Sequence, residues 1–183
     1  MSGRRQPWLL VVGALLVLAG GVMLAVSLAH RSQEPRSASR RVSLRDFDEV
    51  VVRVTDRNGR TRRWRLLAAR TEREHEQGLM RVRDRTLGGH DGMVFLFDED
   101  QRTGFWMRNT PMPLSIAYFD RRGRVVSITQ MAACGDSPGC RVYPPSGPYR
   151  SAIEVPRRGL ERLGIDQASR LKVGGGCGDG AAR

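Results

Sequence analysis

The residues best suited to bind a ligand lie in one aromatic and polar segment, Phe105–Leu114, which reads Phe-Trp-Met-Arg-Asn-Thr-Pro-Met-Pro-Leu. Successive side chains of a strand point to opposite faces, so Trp106 and Arg108 can share a face away from the core. An exposed indole could stack on a sugar ring, beside the amide of Asn109 and the hydroxyl of Thr110. The alternative is that Trp106 covers a second core layer, while Asn109 and Thr110 satisfy turn backbone.

Two further segments would complete a cleft beside this block. They are Gln77–Met80, and the glycine-rich stretch Gly88–Phe95 that follows after a loop. We expect Met80 and Gly92 to contact the ligand from these segments. Polar groups clustered next to an aromatic side chain, without a recognisable catalytic set, favour binding without catalysis.

Catalysis is the competing hypothesis. Asp91 or Asp120 could act as an acid or base while Arg108 steadies a developing anion, which requires a carboxylate with a shifted pKa inside a pocket. Asp120 also fits a plain turn residue, because it precedes a predicted turn. The sequence contains no phosphate-binding glycine loop and no nucleophile elbow. His75 and His90 are isolated and expected to be solvated, so we predict no metal site and no cofactor.

The cysteines indicate an oxidising compartment. Cys134 and Cys140 bracket a short loop rich in Gly and Pro, and a disulfide between them is expected outside the cytoplasm. A zinc site is the alternative, but two cysteines without a nearby histidine make a poor ligand set. Cys177 lies in a Gly-rich tail, residues 174–183, which we predict to be disordered with a free thiol.

The N-terminus contains the strongest physical signal. Arg4 and Arg5 precede Trp8–Ala29, a run of 22 residues without a charge. As a helix this run is about 33 Å long, enough to cross a hydrocarbon core of about 30 Å. We predict a signal anchor in residues 1–30 and a flexible stalk in residues 31–43. A signal peptide cleaved after Ala29 is the alternative.

The orientation of this anchor rests on the cysteines. Arginines flank the apolar run on both sides, and their count does not favour an outside C-terminus. The expected disulfide does favour it. We therefore predict a single-pass protein of the cell membrane with an extracytoplasmic domain.

The chain is strongly basic, with a net charge of +12. Such a field favours anionic partners, among them phospholipid headgroups and acidic envelope polymers. Arg53, Arg63 and Arg65 could line one face of a hairpin as an anion-binding stripe, although a solvated face is the simpler interpretation. Nucleic acid is not expected as a partner, because the arginines are scattered and the predicted compartment lacks it.

The elements that must position these residues are short strands. Asn58-Gly59 between two apolar runs predicts a hairpin, and Thr71 with Glu74 three residues on predicts a helix start. We expect an α+β, mostly β domain over residues 44–173, as a small barrel-like or curled antiparallel sheet with two short helices, preceded by an N-terminal transmembrane helix. The predicted strands are Val50–Thr55, Thr61–Ala69, Met93–Phe97, Gly104–Arg108, Leu114–Asp120, Arg124–Met131, Arg150–Val155 and Ser169–Val173; an acidic turn is expected at Asp98–Asp100, and the second helix at Pro156–Leu163.

Several of these segments resemble the hallmark stretches of the domain-of-unknown-function 192 family. The resemblance runs from about residue 50 to residue 173 and includes Gly78-Leu79-Met80, Gly92-Met93-Val94-Phe95, the block Phe105–Thr110, the strand from Leu114 to Asp120, and Ala152–Val155. Many members have an aspartate where this chain has Ser115, which puts in doubt any mechanism that needs that carboxylate. The resemblance implies a small β-rich fold, often behind an export signal, and no established activity.

Together these features predict a membrane-tethered extracytoplasmic module that binds a small or polymeric ligand, such as a glycan, without catalysis. Two alternatives remain open. One is an envelope enzyme that uses Asp91 or Asp120 with Arg108. The other is a structural module that docks on a protein partner or an anionic membrane surface through its arginine-rich hairpin.

Overall fold

The computed structural model describes residues 43–174. The predicted anchor, the stalk up to residue 42 and the tail from residue 175, with Cys177, lie outside the described residues. Within residues 43–174, no helix is both long enough and apolar enough to span a bilayer.

Nine strands and two short α-helices make up the described residues, with single 3-10 turns at Leu44–Asp46 and Leu87–Gly89. The strands are β1 (Asp48–Thr55), β2 (Thr61–Ala69), β3 (Gly92–Gln101), β4 (Phe105–Trp106), β5 (Leu114–Phe119), β6 (Val125–Met131), β7 (Val142–Tyr143), β8 (Tyr149–Pro156) and β9 (Arg170–Val173). The helices are α1 (Glu72–Gln77) and α2 (Gly159–Leu163).

Seven strands form one mixed sheet in the order β6-β5-β8-β3-β2-β1-β9, and β4 pairs with β7 in a separate two-stranded sheet. The mostly β composition and the two short helices are confirmed. The prediction of a wholly antiparallel sheet is wrong, because β2 and β3 run parallel. A parallel pair needs a long crossover connection, and here the connection contains α1 and the loop up to β3.

The sheet does not close into a barrel within the described residues. In residues 43–174, β6 and β9 are its edges, and an isolated bridge between Arg124 and Arg170 lies between their ends. At that point the backbone N–H of Leu171 donates to the carbonyl of Gly123 at 2.7 Å. A Cβ on Gly123 would lie 2.0 Å from the carbonyl oxygen of Leu171, so this close approach of the two chain segments requires glycine.

Two hydrophobic clusters cover the two faces of the large sheet. The aromatic face carries Met93 and Phe95 of β3, Ile116 and Tyr118 of β5, and Ala152 of β8. The opposite, aliphatic face carries Val94, Ala117, Ile153 and Val155, with the leucines of α2 packed against them. All six residues of β5 are buried, as expected of a strand covered on both sides.

The local signals in the hairpin and in the first helix are confirmed. β1 and β2 pair in register around the turn, where Gly59 has a φ of 77°. The Thr71 hydroxyl accepts the N–H of Glu74, and the Glu74 carboxylate accepts the N–H of Thr71 at 2.9 Å. These two hydrogen bonds satisfy N–H groups that the start of a helix leaves unpaired. The helix then ends at Gly78.

Two boundary predictions are wrong. Asp98–Asp100 form the end of β3 instead of a turn, and Arg150 of the neighbouring β8 forms an ion pair with Asp100 at 3.1 Å. Pro156 ends β8 instead of opening a helix. Helix α2 begins at Gly159, after Arg158 turns the chain with a φ of 67° and donates its N–H to the Ser115 hydroxyl.

Candidate ligand-binding site

A cavity of about 320 Å³ opens on the aromatic face of the sheet. Five aromatic side chains line it, contributed by β3, β4 and β8. In β3, the alternation of side chains directs both Phe95 and Phe97 towards this face. The five are Phe95, Phe97, Phe105, Trp106 and Tyr149.

The aromatic rings hold one another in edge-to-face contacts. Phe95 and Phe105 have ring centroids 4.8 Å apart at an angle of 86°, and Phe97 and Tyr149 have centroids 5.5 Å apart at 89°. Such pairs contribute about 0.5–1.5 kcal/mol each beyond the area that they bury. The hydroxyl of Tyr149 also donates to the carbonyl of Thr103 at 3.0 Å. These contacts fix the aromatic walls of the cavity in the absence of a ligand.

Helix α1 places polar groups at the same cavity. The Nε2 atom of His75 lies 3.1 Å from the carbonyl of Ala69 and 3.0 Å from that of Leu96. Since both partners are carbonyl oxygens, Nε2 must be the donor. The imidazole also packs on Phe97 with centroids 4.3 Å apart. His75 is therefore half-buried in the wall of the cavity, and the expectation that it is solvated is wrong.

Glu154 is the most deeply buried charged side chain at the cavity, with 4% of its surface exposed. It lies in β8 between Met93 of β3 and Ile116 of β5. Burial raises the pKa of its carboxyl from 4.5 to about 8. Among residues 43–174, no side chain or backbone N–H forms a hydrogen bond or ion pair with this carboxyl. Within the described residues, Glu154 is thus a titratable group without a hydrogen-bond or ion-pair partner, and its carboxyl faces the cavity.

The block 105–110 folds as the alternation of a strand predicts at its first three residues. Phe105 packs against the core, Trp106 is 51% exposed, and Met107 is buried. The guanidinium of Arg108 lies 5.9 Å from the centre of the Trp106 ring. Val142, opposite Trp106 in the β4–β7 pair, is also 51% exposed. The rim of the cavity is therefore an exposed apolar surface next to a cation.

The predicted disulfide between Cys134 and Cys140 is present, with the two Cα atoms 6.0 Å apart. Its ring holds the end of the block in place. The backbone N–H of Asn109 donates to the carbonyl of Gly135 at 2.9 Å, and the N–H of Cys134 donates to the carbonyl of Thr110 at 3.0 Å. The disulfide ring therefore positions the residues that follow Trp106.

Arg108 and Asn109 are bound to this ring and do not line the cavity. The Nε of Arg108 lies 2.6 Å from Oδ1 of Asp136, and the amide of Asn109 donates to the same oxygen at 3.4 Å. The hydrogen bond and charge of Arg108 lower the pKa of Asp136. Asn109 has a φ of 57°, and its carbonyl accepts the N–H of Arg81 at 2.7 Å. Both residues therefore connect the block that carries Trp106 to the disulfide ring.

Three of the six predicted ligand-binding residues line the cavity. Met80, Trp106 and Thr110 do so, and Thr110 is 3% exposed. Gly92 lies away from it, in β3, where a Cβ would be 2.7 Å from Cγ1 of Val155. This glycine is required by the packing of β3 against β8.

The two aspartates considered for catalysis lie elsewhere. Asp91 pairs with Arg162 at 2.8 Å and accepts the N–H of Arg65 at 3.1 Å. Although partial burial raises the pKa of Asp120, the hydrogen bonds from Arg124 and from the N–H of Arg122 lower it overall. Neither aspartate lines the aromatic cavity, and Arg108 pairs with Asp136 instead. The structure therefore does not bring together the groups of the predicted catalytic set.

Sequence reasoning missed Glu154, His75, Phe97 and Tyr149 as site residues. A signal for Glu154 was present, because it is the one charged residue in the apolar run Ala152–Val155. A lone carboxylate within a strand buried on both faces is unusual and indicates a functional group. Within the described ranges, no group of three or more His, Cys, Asp or Glu side chains is arranged to hold a metal ion.

Comparison with known proteins places this architecture in a family. Residues 53–173 match the DUF192 family, described as Uncharacterized ACR. A protein of unknown function from Novosphingobium aromaticivorans DSM 12444 is 30% identical and has a TM-score of 0.59, with 77% of this chain and 91% of the other covered. A candidate transcription regulator from Sinorhizobium meliloti 1021 is 26% identical and also has a TM-score of 0.59, with 69% and 95% covered. No curated protein matches. The family match spans more than half of the sequence and agrees with the motifs around the cavity, so this chain belongs to the DUF192 family.

Proposed function

We propose that this protein is a membrane-tethered, extracytoplasmic module that binds a ligand in its aromatic cavity without catalysing a reaction. The observation that carries the binding function is the cavity of about 320 Å³ whose rim is the half-exposed Trp106. Exposed tryptophan is uncommon unless it contacts a partner. Its position over a preformed aromatic cavity supports a ligand that enters there.

A glycan fits the rim of this cavity. A sugar ring can stack on the indole of Trp106, and Val142 extends the apolar surface along the β4–β7 pair. The amide of Gln77 and the hydroxyl of Thr110 line the cavity, and although they donate to the carbonyls of Met80 and Arg108, their oxygens can still accept from sugar hydroxyls. Catalysis is not part of this proposal, because Asp91 and Asp120 are each bound to an arginine outside the cavity.

The test is a binding screen of envelope glycan fragments against the full-length protein in detergent, read by calorimetry. Trp106→Ala should reduce the affinity for a bound fragment at least tenfold while leaving the thermal midpoint unchanged, since the side chain is exposed. Arg121→Ala, at an exposed position in the β5–β6 turn, is the matched control. Equal affinities of both variants and of the parent protein would remove Trp106 from the site.

The tether and the compartment are supported by the apolar run Trp8–Ala29 and by the disulfide. Alkaline extraction of host membranes should leave the protein in the pellet. The intact mass of the recovered protein should match the full-length chain, with two thiols that react only after reduction. A soluble protein, or one with three free thiols, would contradict the proposal.

The second candidate function is docking on an anionic surface, and one observation favours it. Arg53 lies between Arg63 of β2 and Lys172 of β9 as a direct neighbour of both. Like charges placed side by side across strands destabilise a sheet unless an anion compensates them. Vesicles with an anionic lipid should bind the parent protein in a salt-sensitive manner, and Arg53→Gln with Arg63→Gln should abolish this binding.

A further inference from the structure

We propose that the chemical group received by the cavity is an organic ammonium ion, which Glu154 and the surrounding aromatic side chains hold together. This inference rests on the proposed ligand-binding function and specifies the chemistry of its site.

Among the described residues, the carboxyl of Glu154 has no hydrogen-bond or ion-pair partner. A carboxylate as deeply buried as this one is normally compensated by a cation or by several hydrogen bonds. The described residues supply neither, although the side chain lines the cavity. A cation that enters with the ligand would supply the missing charge.

Aromatic side chains line the same cavity as Glu154. Cations are attracted to the faces of aromatic rings, and quaternary ammonium groups are recognised in this way. Phe95 and Phe105 meet at 86°, and Phe97 and Tyr149 meet at 89°. The ring planes in each pair are nearly perpendicular, so the faces of the four rings point in different directions around the cavity that they line. A carboxylate among them adds full charge to the partial charges of the rings.

The basic residues are distributed unevenly with respect to the cavity. The chain has 31 Lys and Arg residues, yet among the described residues that line the cavity none is Lys or Arg. The Nε2 hydrogen of His75 is shared between two backbone carbonyls. The carboxylates at the cavity are Glu76 and Glu154. The lining therefore carries carboxyl groups and no arginine or lysine, which favours a cation there, although the chain as a whole has a net charge of +12.

The size of the cavity sets the scale of the group. Its volume of about 320 Å³ lies at the lower end of ligand cavities, which span about 300–1,000 Å³. A trimethylammonium or small alkylammonium group fits this space. If the group belongs to a polymer, the rest of the polymer could lie outside the cavity, over Trp106. An amino sugar would combine both contacts.

Binding of such a group depends on pH in a defined direction. The titratable groups around Glu154 are Tyr118 of β5, Tyr149 of β8, and His75 and Glu76 of α1. Because burial raises the pKa of Glu154 to about 8, the cation must displace a proton below that pH. The affinity should therefore rise about tenfold per pH unit up to about pH 8 and then level off. A variant of Glu154 separates the contribution of this carboxyl from that of the other titratable groups.

The experiment compares choline with its neutral carbon isostere, in which a tert-butyl group replaces the trimethylammonium group. Both are titrated by calorimetry into the full-length protein in detergent, between about pH 6 and about pH 8. We expect choline to bind more tightly as the pH rises and the isostere to bind weakly at every pH. In Glu154→Gln, choline affinity should fall at least tenfold and lose its pH dependence, while that of the isostere stays the same or rises.

A second variant covers the case in which Glu154→Gln does not fold. Phe97→Leu removes one aromatic wall and should weaken choline binding more than isostere binding. Equal affinities for choline and the isostere in the parent protein would overturn the ammonium inference and leave the ligand-binding function standing. Absence of choline binding at every pH by the folded protein would also overturn it. The proposed ligand-binding function would be contradicted only if envelope glycan fragments also failed to bind.

Discussion

The backbone N–H of Asn109 donates to the carbonyl of Gly135 at 2.9 Å. Gly135 lies inside the small ring that Cys134 and Cys140 close, so this one hydrogen bond joins the disulfide ring to the block that carries Trp106. The side chains of Arg108 and Asn109 add contacts to Asp136 of the same ring. The exposed indole is therefore supported by a covalently closed loop.

Loss of the disulfide should loosen this support. Replacing both Cys134 and Cys140 with serine should lower the free energy of unfolding by about 2 kcal/mol, because the loop that the disulfide closes is short. Urea denaturation measures the change. Relative to the parent protein, hydrogen exchange of this variant should show a larger loss of protection at the N–H of Asn109 than at the N–H groups of β5. Cys177→Ser is the control, and an equal loss of stability in that variant would contradict the role of the ring.

Asn109 should tolerate glycine better than alanine. Its φ of 57° lies in the left-handed region, which costs a residue with a Cβ about 1–2 kcal/mol and costs glycine almost nothing. Asn109→Ala should therefore destabilise the protein by about 1 kcal/mol more than Asn109→Gly does. Thermal midpoints of both variants measure the difference. If the two variants were equally unstable, backbone conformation would not be the reason for asparagine here.

Gly92 should not accept a side chain. A Cβ there would lie 2.7 Å from Cγ1 of Val155 and 2.8 Å from the carbonyl oxygen of Glu154. Gly92→Ala should therefore cost about 1–3 kcal/mol through overpacking of β3 against β8. Gly135→Ala is the matched control, because its Cβ would meet no atom within 4 Å. Urea midpoints of the two variants should differ clearly, and similar midpoints would argue that β3 can shift.

The stability of the domain should fall as the pH rises towards about 8. Burial raises the pKa of Glu154 from 4.5 to about 8, so between these values the folded protein holds a proton that the unfolded chain releases. The free energy of unfolding should then decrease by up to about 1.4 kcal/mol per pH unit across this window. In Glu154→Gln this contribution should be absent. Urea denaturation of both proteins at several pH values gives the comparison, and parallel pH profiles would refute the prediction.

Features of the fold that depend on neighbours in sequence were predictable. The Asn58-Gly59 turn and the capping box of Thr71 and Glu74 are each complete within a few residues. The parallel pairing of β2 with β3 was not, because it depends on a crossover of more than twenty residues. The extension of β3 through Asp98–Asp100 depends on a partner strand fifty residues away, where Arg150 pairs with Asp100.

The same distinction applies to the candidate site: features set by neighbouring residues were predictable, and features set by distant strands were not. The exposure of Trp106 follows from alternation within one short strand. The burial of Glu154 follows from the position of β8 between β3 and β5, which no local pattern specifies. His75 reads as a surface residue of a polar helix, but the helix is placed so that its imidazole reaches the carbonyls of two strands.

The order of strands also sets when the domain can fold. β8 is a central strand of the large sheet and β9 covers the free side of β1, yet both come from the last part of the described chain. A ribosome-bound chain that ends before residue 149 lacks the strand that joins β3 to β5. Such a chain exposes two hydrophobic faces and several unpaired edges. The full sheet can therefore assemble only after β8 and β9 have been synthesised, and long-range pairings of this kind form slowly. A protein with this topology therefore depends on the pairing of β8 with β3 and β5 to bury its two hydrophobic faces, and it is prone to aggregation until that pairing forms.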